Sequence, residues 1–67
     1  MLREHTIIFS INKISEIVDK GCLGVIVYVY DDENFEVEFF DNNDRTISIN
    51  TVSKCQIQEI INDDFTN

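Results

Sequence analysis

Proline is absent from this chain, and glycine occurs only at Gly21 and Gly24. There is no low-complexity tract and no internal repeat, and nothing in the composition marks a linker between separate units. Two glycines are too few for a phosphate-cradling loop, which also needs a helix after it. A β-rich run follows them instead. Cysteine occurs twice, at Cys22 and Cys55, and histidine once, at His5, which excludes the spaced cysteine and histidine sets of zinc sites. Basic residues are few: five against thirteen acids, a net charge of −8. A field of that sign repels nucleic-acid phosphates and anionic lipid surfaces, so neither nucleic acid nor membrane is an expected partner. No apolar run reaches the roughly 18 residues of a membrane-spanning helix. The opening Met1-Leu2-Arg3-Glu4-His5 lacks the basic start and apolar stretch of a signal peptide. A cytoplasmic location is therefore expected, with both cysteines reduced and acting as small buried apolar residues.

What remains is a short chain with a dense β pattern. Its 67 residues make one domain, 1–67, with a polar tail over 62–67 expected to fray. A chain this short buries only about 60% of its unfolded surface, so its core is small. A catalytic pocket would remove core from such a domain, whereas a binding surface would not.

Residues 6–11, Thr-Ile-Ile-Phe-Ser-Ile, read as a first strand with Ile7, Phe9 and Ile11 on one face. In residues 12–20, Ile14, Ile17 and Val18 have helical spacing, with Asn12 as a start cap and Gly21 as a stop. Either a short helix or an ordered loop that plugs one end of a barrel fits that segment. Residues 25–30 are β-branched or aromatic throughout, and residues 35–39 alternate apolar residues with Glu. An unpaired buried carboxylate is expensive, so Glu36 and Glu38 face water and Phe35, Val37 and Phe39 face the core. The uniform set Val25, Val27 and Val29 is expected to join them. Ile26, Tyr28 and Tyr30 then share the outer face with the glutamates. The turn Asp31-Asp32-Glu33-Asn34 joins these two strands, and Asp41-Asn42-Asn43-Asp44 follows the second. Residues 45–50 read as a fourth strand with Ile47 and Ile49 inward and Thr46 and Ser48 outward. Residues 51–54 read as a tight turn and 55–59 as a last strand, with Ile60 and Ile61 finishing the core. Five short strands at this length point to a mostly all-β, five-stranded SH3-like barrel, with a short helix or helical turn between strands 1 and 2.

The run Gly21-x-x-Gly24-x-Ile26-Val27-x-Val29-Tyr30, the acidic turn, and Phe35-Glu36-Val37-Glu38-Phe39-x-Asp41 leading to Thr46 resembles a family of small bacterial domains of unknown function of about this length. The resemblance is specific from Gly21 to about Ile49. The Asp-Gly turn usual in that family is replaced here by residues 41–44. The resemblance implies an SH3-like barrel and no activity. Some similar small proteins are immunity partners of secreted bacterial toxins.

No constellation for catalysis is present. His5 stands without a partner, and Ser10, Ser15, Ser48 and Ser53 lack a nucleophile-elbow context. The carboxylates are expected on turns and outer strand faces, in water, an environment that does not poise them for acid–base work. The segment from Asp41 fails the EF-type calcium pattern, with Thr46 at its glycine position and Val52 at its glutamate position. No enzyme activity, cofactor or metal is expected. The candidate residues are partner-binding ones: Tyr28, Tyr30, Asp31, Asp32, Glu33, Glu36 and Glu38. Aromatic anchors ringed by charge of one sign suit a basic protein partner, with the tyrosines as anchors and the carboxylates pairing with Lys or Arg. The leading expectation is an immunity protein that neutralises a cationic bacterial toxin, such as a nuclease, by stoichiometric binding. The alternatives are an adaptor or accessory domain, or a homodimer pairing through Ile26, Tyr28 and Tyr30; a regulatory protein that mimics nucleic-acid charge against a DNA-binding factor; or a proline-rich ligand on the tyrosines. Two blander readings also stand: the acids serve solubility, or the tyrosines are shielded by the first connection or the tail.

Overall fold

The computed structural model describes residues 2–61. The expected frayed tail over 62–67 lies outside the described residues. Five strands form one antiparallel sheet: β1 Ile7–Ser10, β2 Leu23–Val29, β3 Asn34–Phe40, β4 Thr46–Ser53 and β5 Ile57–Glu59. Their order across the sheet is β4-β3-β2-β1-β5, so the first and last strands pair while β4 and β5 remain its two edges. Among the described residues the helical content is a single 3-10 turn, Lys54–Gln56, between β4 and β5. The helix expected between the first two strands is absent.

The reason lies in Ser15. Its hydroxyl accepts the backbone N–H groups of Val18 at 3.2 Å and Ile17 at 3.4 Å. The N–H of Ile14 donates forward to the Val18 carbonyl at 2.8 Å, opposite to the sense of an α-helical bond. Side-chain capture of this kind competes with a helix, and nine residues offer little resistance. The segment is an ordered loop that buries Val18 against the core and half-buries Ile14, leaving Ile17 exposed. Ser10, fully buried at the end of β1, pins the loop. Its hydroxyl donates to the Asp19 carbonyl at 2.6 Å and accepts the Cys22 N–H at 2.9 Å. Gly21 closes the loop at φ +83°, a left-handed conformation that suits glycine.

The core comprises Ile8, Val18, Ile26, Phe35, Val37, Phe39, Val52 and Ile57. The alternation along β3 behaves as expected: Phe35, Val37 and Phe39 are buried, with Glu36 and Glu38 between them facing outward. The parity of β1, β2 and β4 differs from expectation. On β1 the inward residues are Ile8 and Ser10, while Ile7 and Ile11 are exposed and Phe9 is half-buried. On β2 Ile26 points inward opposite Val37, and Val25 lies opposite Glu38 on the outer face. The register then shifts by one residue, so that Val27 is an exposed bulge. Beyond it Tyr28 falls opposite Glu36, and Val29 returns to the core opposite Phe35.

A second shift, between Phe39 and Phe40, resets β4. Ile47 still packs on the core, but Ser48 is half-buried opposite Phe39, and Ile49 is exposed opposite Glu38. The strand runs on through Ser53 where a turn was expected, and brings Val52 inward against Phe35. Ile60 and Ile61 are exposed and finish nothing. Cys22 is half-buried, but Cys55 is exposed on the 3-10 turn, contrary to the buried role expected for both.

Gly24 on β2 packs closely against β3. A Cβ there would lie 2.7 Å from Val37 Cγ1, 2.9 Å from Phe39 Cδ1 and 3.0 Å from the Glu38 carbonyl. Gly24→Ala is expected to lower stability by about 2–3 kcal/mol, the upper part of the range for an overpacked core. Urea unfolding checks this. A double-mutant cycle with Val37→Ala is expected to return a favourable coupling, because the shortened side chain makes room for the new methyl group.

Candidate functional site

The outer face of β2, β3 and β4 carries the candidate site. Tyr28 and Tyr30 are both about half exposed, at 52% and 53%. Their rings meet edge to face, with centroids 4.9 Å apart. The Tyr30 hydroxyl donates to Glu36 Oε1 at 3.1 Å, and the Thr51 hydroxyl donates to the same oxygen at 2.6 Å. The Thr46 hydroxyl donates to Glu38 Oε2. Two strand glutamates are thus held by hydroxyls from β4 and from the end of β2, with free acceptor capacity left on each carboxylate. Ile49, 57% exposed, lies beside Glu38 and adds apolar area.

No strand carries a lysine or arginine. All five bases lie outside the strands: Arg3, Lys13, Lys20, Arg45 and Lys54. Among the described residues the one ion pair joins Lys13 and Glu16 at 4.0 Å, within the long first loop. Among the described residues no ion pair involves Glu36 or Glu38.

Asp31, Asp32 and Glu33 do not join this cluster. Asp31 is committed to its own turn, where its Oδ1 accepts the backbone N–H groups of Glu33 and Asn34, both at 2.8 Å. Those bonds, first the one from Glu33, and the Asn34 side chain hold its carboxyl below the usual aspartate range. With Asp32 and Glu33 it lines a shallow groove at the end of the core, beside Phe35, Arg3 and Lys54. None of Tyr28, Tyr30, Glu36 or Glu38 lines that groove. The seven candidate residues therefore divide. Four form one tyrosine–glutamate face, and three sit at a separate rim that two bases share.

Ile49 and Thr51 belong to the face and escaped sequence reasoning, while Thr46, expected outward, joins them. An alternation carried from Ile47 sends Ile49 inward, and nothing in the residues marks the register shift that reverses it. The residues 46–53 offered one usable signal, Val52, whose burial fixes Thr51 and Ile49 on the opposite side. Among the described residues no group of three or more His, Cys, Asp or Glu is placed to hold a metal ion, and no helix is long and apolar enough to cross a membrane.

The fold and face together define a small all-β domain built on one open antiparallel sheet with an acidic, tyrosine-bearing outer side. The model of a domain of unknown function, DUF4926, matches residues 4–59, and the chain belongs to that family. No curated protein matches the chain, and no solved structure does.

The Tyr30 phenol is raised above its ordinary value, chiefly by its hydrogen bond to the Glu36 carboxylate. Folding therefore favours the neutral phenol. That contribution is complete below about pH 10, where an unfolded tyrosine titrates, and is lost as pH rises through the folded-state value. Glu36→Gln is expected to bring the Tyr30 titration back toward the ordinary range, read by phenolate absorbance in the wild type and the variant. An unmoved titration would show that the Tyr30–Glu36 bond is not formed in solution.

Proposed function

We propose that this domain is an acidic protein-binding module whose sheet face receives a cationic protein. In its finer form the reading is an immunity protein of a bacterial cytoplasm that neutralises a basic toxin, such as a nuclease, by stoichiometric binding. The sheet order, with β1 paired to both β2 and β5, supports treating the scaffold as an SH3-like barrel left open between β4 and β5.

One observation carries the reading: exposed Tyr28 and Tyr30 lie against Glu36, with Glu38 two residues on along the same outer face, on a sheet whose strands hold no base. Tyrosine is among the residues that dominate binding energy at interfaces, since it offers a large rigid surface and a polar tip. Carboxylates around such anchors draw in a positively charged partner and speed its arrival. A toxin that cleaves nucleic acid needs a basic cleft, and this face has the charge to cover one. The competing homodimer through Ile26, Tyr28 and Tyr30 loses its aliphatic member, because Ile26 is fully buried. An adaptor role would use the same face and differs only in its partner.

The test is association kinetics with a purified basic nuclease toxin domain. Wild-type association is expected to slow steeply with salt. The double variant Glu36→Lys, Glu38→Lys is expected to associate at least about tenfold more slowly at low salt, with a flattened salt dependence. Equal rates for variant and wild type would overturn the proposal.

A further inference from the structure

The two edges of the sheet are unlike. β5 is three residues long and ends at Glu59, features that blunt an edge. β4 is eight residues long, Thr-Ile-Ser-Ile-Asn-Thr-Val-Ser, with neither a charge nor a proline. Among edge strands that is the unguarded kind, a template for another extended chain.

The direction of its backbone groups follows from the pairing. Ile26 spends its groups on the N-terminal segment: its N–H donates to the Thr6 carbonyl at 3.0 Å, and its carbonyl accepts the His5 N–H at 2.8 Å. Neighbouring residues of a strand turn the opposite way, so Val25 faces β3, where it pairs with Glu38. Glu38 in turn directs its groups to β2. Its partner across the other side, Ile49, therefore aims its N–H and carbonyl away from β3, off the edge. No register shift intervenes from Ile49 to Ser53, so Thr51 and Ser53 share that direction. Ser53 agrees, since its N–H leaves the sheet to reach Gln56 Oε1 at 2.8 Å. The outward groups of Ile49 and Thr51 have no backbone partner among the described residues.

We infer that an extended, cationic segment of the partner docks by adding a strand to the β4 edge, its backbone pairing with Ile49 and Thr51 and its Lys or Arg side chains reaching Glu38 and Glu36. This rests on the acidic-face reading and adds to it a site and a binding mode. The side chains of Ile49 and Thr51 lie on the outer face next to Glu38 and Glu36. A strand added beyond β4 lies two strand spacings from β3, about 10 Å, and a long basic side chain and a glutamate bridge that gap from both ends. The lysine or arginine stem then covers exposed Ile49. Charge selects the occupant. A second copy of this chain would bring another Glu36 and Glu38, whereas a basic strand brings the missing cations.

The experiment is residue-resolved amide exchange by NMR on the whole chain, with a blocked synthetic peptide of alternating lysine and threonine as probe. A peptide with glutamate in place of lysine is the control. In the free protein the Ile49 and Thr51 amides are expected to exchange fast, and those of Asn50 and Val52 slowly. The lysine peptide is expected to slow Ile49 and Thr51 at least tenfold, and the glutamate peptide to leave them unchanged. Ile49→Pro removes one outward N–H at an edge position that tolerates proline, and is expected to abolish the effect. Should that variant unfold, the wild-type amides still decide. Peptide binding without slowed amides overturns the edge docking and leaves the acidic face standing. No binding at all overturns both. Protection in the free protein that grows with its own concentration overturns the inference in favour of a second copy.

Discussion

One extra residue in β2 governs what this domain shows to its surroundings. Val27 forms a bulge between Ile26 and Tyr28, and the strand changes parity across it. Without the bulge, burying Ile26 would carry Tyr28 and Tyr30 inward and push Val29 out. With it, Ile26 and Val29 both reach the core, opposite Val37 and Phe35. Tyr28 is left on the outer face opposite Glu36, and Tyr30 bonds to that same glutamate. A bulge also bends and twists its strand, which suits a short sheet that must curl around a single core. The second shift, at Phe39 and Phe40, does the same on β4 and turns Ile49 and Thr51 outward beside the glutamates.

The electrostatic character follows from where these shifts leave the charges. The strands contribute acids and no bases, so the charge that the sheet itself supplies is one-signed. The acidic β2–β3 turn looks like part of that face in the linear sequence. Its first carboxylate is spent on backbone N–H groups, and its neighbours share a groove with Arg3 and Lys54. Charge counted along the chain therefore overstates the site, while charge on one surface defines it. The hydroxyls of Tyr30 and Thr51 both donate to Glu36 Oε1 and hold that carboxylate in place on the face.

Much of the scaffold was legible from the residues. The alternation of β3 named three core residues and two outer glutamates, because a carboxylate cannot be buried without a partner. The other strands offered no such marker. A run such as Val25-Ile26-Val27 is apolar on both sides, so parity is undetermined and a bulge inside it is invisible. In β1 the decisive residue was Ser10, whose burial depends on two hydrogen bonds from a loop twelve residues away or fewer. The helical spacing of Ile14, Ile17 and Val18 was real as a pattern. It was overridden by Ser15, whose hydroxyl takes the N–H groups that a helix would need. The outward placement of Tyr28, Tyr30, Glu36 and Glu38 was expected from sequence, the glutamates from the cost of burying a carboxylate and the tyrosines from an inward valine set of which only Val29 packs on the core. Ile49 and Thr51 were missed, because their side of the sheet depends on register.

The account stands or falls on which carboxylates a cationic partner covers. Carbodiimide labelling of the acids, with peptide mapping in the presence and absence of the bound basic partner, measures this directly. The account predicts that Glu36 and Glu38 lose reactivity on binding while Glu16 and Asp19, in the long first loop, keep theirs. Protection confined to Asp32 and Glu33, or spread evenly over all the acids, would contradict it.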